Sequence, residues 1–192
     1  MMLRVPGWAI PWGCALMVGA MPVTAQAVPD APLSRGTLAF DADATLGAFT
    51  GVTSRMTGHL TGAGQLSGVR GWVETPAVSL TTNNGHRDRD MASSLEIPKY
   101  PTLRFDLDSV TPGSANGDSI PVTLHGRFTI HGQTRAAKVP GWAWVRPDRS
   151  RFRGSLPINV KDYGVGGLSK MLGVLKMNEM ITVRIDVEFG GR

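Results

Sequence analysis

The chain has 192 residues, with 20 Lys and Arg against 15 Asp and Glu, for a formal charge of +5 at neutral pH. The excess is mild and dispersed, with no basic cluster interleaved with aromatics, which argues against a nucleic-acid partner. The single cysteine, Cys14, lies near the N-terminus, so the remainder of the chain has no disulfide, thiolate nucleophile or Cys-based metal site.

Residues 1–27 read as a secretory signal peptide that is cleaved. Arg4 supplies a positive charge, Ala9 to Val23 is mostly apolar and uncharged, and Ala25-Gln26-Ala27 is a small-x-small cleavage site. Pro6, Pro11 and Pro22 interrupt the run, which falls short of the roughly 20 apolar residues of a membrane span. This order predicts export, with a periplasmic location. Cleavage after Ala27 removes 27 of the 192 residues, leaving 165, enough for one domain with its own core.

Residues 28–35 read as a short lead-in and 36–190 as one barrel domain. Thr37 to Ala42 is the first strand, with Leu38, Phe40 and Ala42 on one side. Thr45 to Gly68, rich in Gly and Thr, suggests hairpins. Val69 to Leu80 is broken by Pro76 and reads as a bent or edge-like strand. A short helix is expected over Arg87 to Leu95, with Pro98 forbidding its continuation. Thr102 to Val110 follows as a strand with Leu103, Phe105 and Leu107 on one face, then a turn-rich stretch from Thr111 to Asp118.

Ile120 to His131 gives the clearest pattern in the chain. Ile120, Val122, Leu124, Phe128 and Ile130 alternate with polar residues or proline, and Gly126 fills the one gap in the apolar row. Ala136 to Val145, Arg151 to Val160 and Ile181 to Phe189 complete the strand set. Between the last two, Leu168, Met171, Leu172 and Leu175 fall at the spacing of one helical face, although several glycines weaken a helix there. They read either as an apolar flap or as a plug for the barrel end. Lys170 and Lys176 flank the segment, which suits contact with a membrane surface.

Many strands with one polar face each, and almost no helix, predict an all-β fold, an antiparallel barrel of about eight strands. Its interior holds either a small ligand or only its own side chains.

No catalytic motif emerges. The nucleophile elbow, phosphate loop, zinc-protease helix and haem-attachment signatures are all absent. His125 and His131 sit six residues apart on one strand, roughly 20 Å at about 3.3 Å per residue, too far to share a metal. They read as surface residues. His86, Arg87, Asp88, Arg89 and Asp90 form the densest polar cluster. Bridging of its alternating charges, to fix a loop-to-helix corner, is preferred to a headgroup site. An acid-base set of His86 with Asp88 or Asp90 lacks a nucleophile and an oxyanion site, so no enzyme is expected. Trp142 and Trp144 share one strand face.

Three stretches together resemble the YceI family of small exported proteins. Thr81-Thr-Asn-Asn-Gly-His-Arg-Asp-Arg-Asp-Met91 is similar to that family's polar corner and leads into Lys99-Tyr-Pro-Thr-Leu-Arg-Phe105. Leu124 to Arg135 carries the Thr-Ile-His-Gly motif, and Ile158-Asn-Val-Lys-Asp-Tyr-Gly164 is the third match. Asp90 replaces the family's usual histidine, and Arg135 its usual lysine.

The resemblance implies a lipocalin-like barrel holding a long isoprenoid chain, such as an isoprenoid quinone or polyprenyl lipid, without cofactor, metal or catalysis. The residues expected to face that lumen are Leu103, Phe105, Val122, Leu124, Phe128 and Ile130, together with Leu156, Ile158, Val183, Ile185 and Val187. The alternative is a packed structural or stress-response barrel without a physiological lipid. The pattern allows either a monomer or a homodimer.

Overall fold

The computed structural model describes residues 27–45, 47–166, 169–170 and 175–191. The expected signal peptide therefore lies almost wholly outside the described residues, as do Leu168, Met171 and Leu172 of the expected flap.

The strands are β1 (Ala31–Ala44), β2 (Gly47–Thr53), β3 (Thr57–Thr61), β4 (Arg70–Pro76), β5 (Thr102–Pro112) and β6 (Ile120–Ile130). They continue with β7 (Gln133–Val145), β8 (Arg149–Asn159), β9 (Ser169–Lys170) and β10 (Leu175–Gly190). One α-helix, α1 (Gly85–Ser94), lies between β4 and β5. All pairings are antiparallel. β1 pairs with β10, closing the sheet on itself. β2 and β3 pair with successive parts of β1 and act as one interrupted stave, so the closed barrel has eight staves.

β1 begins at Ala31, inside the expected lead-in, because Ala31 and Pro32 pair with Leu60 and His59. Just ahead of it, Val28 exchanges backbone hydrogen bonds with Ala63 and is buried. β4 is not an edge: it pairs with β3 on one side and β5 on the other, and Pro76 marks its end. In the expected flap, Ser169–Lys170 and Leu175–Lys176 pair as antiparallel strands, so the backbone there is extended and not helical.

Alternation delivers the core. Phe105, Val122, Phe128, Leu156, Ile158, Val183, Ile185 and Val187 are all buried. The register slips between Leu107 and Ser109 opposite Gly126 and His125. This bulge lets Leu107 and Val110 both face inward, three residues apart. Arg104, Asp106 and Glu74 pair on the outer face, with Arg104 Nη1 2.9 Å from Glu74 Oε2.

Glycines seat aromatic rings on the barrel wall. A Cβ on Gly126 would lie 2.7 Å from Phe105 Cζ, and one on Gly141 would lie 2.8 Å from Phe152 Cε2. Gly126, the gap in the apolar row of β6, is thus the bed for the Phe105 ring.

Candidate functional site

The barrel interior is not one continuous lumen. An upper cavity of about 340 Å³ lies at the end near α1. A lower one of about 80 Å³ lies toward the other end, and no residue lines both. Of the eleven residues expected to face the lumen, Leu103, Phe128, Ile130, Ile158 and Val183 line the upper cavity. Phe105, Leu124, Ile185 and Val187 line the lower one. Leu156 and Val122 line neither and pack into the core, with exposures of 6% and 4%. The residues expected to face one lumen thus divide between two chambers, with the neighbouring side chains Phe105 and Phe128 at the boundary.

The lid of the upper cavity was not legible as a site. Met91 and Leu95 reach it from α1 and the residue that caps the helix, and Phe49 from β2. Phe40 meets Phe49 edge-on, with centroids 6.1 Å apart. Neither Phe49 nor Met91 belongs to a clear apolar row, so periodicity gave no signal for them.

The polar corner sets α1 in place. Asn84 caps the helix, its Oδ1 accepting from the backbone N–H groups of His86 and Arg87 at 3.1 Å each. Asp88 accepts from the Thr82 hydroxyl at 2.6 Å, the Thr82 N–H at 2.8 Å and the Thr81 hydroxyl at 2.8 Å. Partial burial pushes the Asp88 carboxyl up, but these hydrogen bonds outweigh it and hold the group below its usual range. The corner is fixed as expected, yet the partners bonded to Asp88 are threonines and not an arginine fork.

Arg87 and Asp90 also line the upper cavity, at its mouth. The Arg87 guanidinium lies 4.2 Å from the Phe49 ring centroid. The mouth thus joins a greasy chamber to a charged rim.

His125 lies on the outer side, its Nε2 2.9 Å from the Thr111 hydroxyl. His131 corrects the surface expectation: its side chain is only 11% exposed. It occupies the β6–β7 turn with a φ of 50°, packs against Tyr100 with centroids 4.6 Å apart, and places Nδ1 3.1 Å from the Tyr163 carbonyl oxygen. The turn reverses the chain there, so strand alternation no longer applies. Trp142, 43% exposed, lines an open groove of about 1010 Å³ on the outside of the barrel. That groove is edged by Arg153, Arg184 and Asp186 and gives an apolar tail no enclosure.

The model of the YceI-like domain matches residues 32–189, nearly the whole described barrel. The chain belongs to the YceI-like domain family. No curated protein matches it. Among solved structures, a polyisoprenoid binding domain from Saccharophagus degradans, implicated in plant cell wall breakdown, is similar at 15% identity with a TM-score of 0.69. The match covers 86% of this chain and 99% of that one. BcnA of Burkholderia cenocepacia is similar at 15% identity and a TM-score of 0.65, over 80% of this chain and 95% of that one. The YCEI protein of Campylobacter jejuni follows at 16% identity and 0.51, over 64% and 72%. At these identities the likeness is one of fold. The YceI-like barrel here is the closed, eight-stave form with one short helix, as its alternation predicted.

Proposed function

We propose that this YceI-like protein is a periplasmic, non-enzymatic binder of an isoprenoid-type lipid. The upper cavity carries the reading. It is a mostly apolar chamber whose lining also includes the charged residues Arg87 and Asp90. Such a space suits a molecule with a hydrocarbon tail and a polar head. Each tail carbon buried there gains about 0.8 kcal/mol of transfer free energy. A barrel packed solid would leave no such chamber.

The fold shared with the polyisoprenoid binding domain of Saccharophagus degradans supports the ligand class. The signal-like N-terminal segment, with Ala25-Gln26-Ala27 at its end, supports export. An isoprenoid quinone and a polyprenyl lipid both meet the requirement of an apolar tail.

Native mass spectrometry of protein purified from the periplasm of its own cells tests the reading. A copurifying tail-bearing lipid is the expected result. An empty protein that also takes up no isoprenoid on titration overturns it.

A further inference from the structure

Between the two cavities lies a layer of side chains. Phe105 and Phe128 face each other across β5 and β6, and their ring centroids are 4.7 Å apart. Phe128 lines the upper cavity and Phe105 the lower, so the ring pair stands at the boundary. Val139 and Leu156, 0% and 6% exposed, are packed in the core and line neither cavity.

The Phe105 ring cannot easily swing away. It is bedded on Gly126, where even a Cβ would come within 2.7 Å of Cζ. A volume of 340 Å³ holds about eleven carbons at roughly 30 Å³ each, little more than two five-carbon isoprene units. The lower chamber, at 80 Å³, holds about three carbons on the same basis, less than one unit.

We propose that the Phe105–Phe128 pair is a septum that limits how much of an isoprenoid tail the barrel admits, with about two units enclosed and any further length left outside. The inference rests on the lipid-binding reading and adds to it a preference set by tail length. Phe128 is the specificity-determining residue, because it closes the floor of the chamber the tail enters. Phe105 supports it from below. Removing the Phe128 ring joins the chambers, and the two volumes together take about fourteen carbons on the same basis, about three units.

The test is a titration of wild type, Phe128→Ala and Phe128→Leu with geraniol, farnesol and geranylgeraniol, with circular dichroism to check folding. For wild type, the two units of geraniol already fill the chamber, so affinity is nearly level across the series, with less than about threefold gained at farnesol or geranylgeraniol. For Phe128→Ala, the step from geraniol to farnesol gains about tenfold or more, because the third unit is now buried. Phe128→Leu, the gentler change, gives an intermediate gain. Wild type whose affinity climbs about tenfold at each added unit overturns the septum while leaving lipid binding intact. That result needs no variant to fold. Failure of all three alcohols to bind wild type overturns the lipid-binding reading itself, and the septum with it.

Discussion

Gly126→Ala is the most direct probe of how this barrel is packed. The added methyl meets two obstacles: the Asp106 carbonyl oxygen on the neighbouring strand, and the Phe105 ring, 2.7 Å from the new Cβ at Cζ. The ring edge can yield only by leaving its rotamer. The carbonyl belongs to the backbone beside the β5 bulge, so relief there means parting the strands. Overpacking of this kind costs about 3 kcal/mol. Alanine returns about 0.4–1 kcal/mol by restricting the unfolded chain, so the net loss is about 2 kcal/mol. For a domain of this size the midpoint falls by about 4–8 °C. Thermal unfolding followed by circular dichroism measures it. The double variant Phe105→Leu with Gly126→Ala recovers the part of the loss due to the ring but not the part due to the carbonyl, which a double-mutant cycle separates. A midpoint for Gly126→Ala equal to or above wild type refutes the claim that this glycine is required as the ring's bed.

Two further predictions concern charge. Asp88→Ala leaves the Thr82 N–H and hydroxyl and the Thr81 hydroxyl without their acceptor, a loss of about 1–3 kcal/mol. Hydrogen exchange should show faster exchange concentrated in Gly85–Ser94, and unchanged protection there counts against the anchoring role. Asp186 accepts from Arg151 at 2.7 and 2.8 Å and from Arg153 at 2.7 and 3.0 Å. These bonds, Arg151's foremost, hold its carboxyl below the usual range. A lowered folded-state value stabilises the protein above the unfolded carboxylate range near pH 4. That contribution is lost as pH falls through the lower folded value. Asp186→Asn should therefore be less stable than wild type near neutrality, with the gap closing in acid; a gap that is constant with pH removes the linkage.

Much of the architecture was legible because a strand's side chains alternate with a period of two. The rows on Ile120–Ile130 and Ile181–Phe189 identified their inward residues without any knowledge of partners, and Pro98 bounded the helix. The rule fails where the backbone departs from a regular strand. At Asp108 the bulge shifts the inward set, which brings in Val110. At His131 the turn carries a residue expected outside into contact with Tyr100.

The candidate site was half legible for the same reason. The wall residues Leu103, Ile130, Ile158 and Val183 follow from alternation, while Phe49 reaches the chamber from β2 and Met91 from the helix that Asp88 anchors.

By itself, the sequence determined the barrel class, the apolar lining and the absence of any recognisable catalytic motif. Each of these is set by local period and residue type. Only the tertiary structure decided that the interior is two chambers and not one. Whether facing side chains meet depends on strand register and barrel diameter, and those are properties of the closed sheet. Phe105 and Phe128 are twenty-three positions apart in the chain. They become opposite neighbours only when β5 and β6 pair, and Gly126 then leaves the space in which one ring can lie against the other.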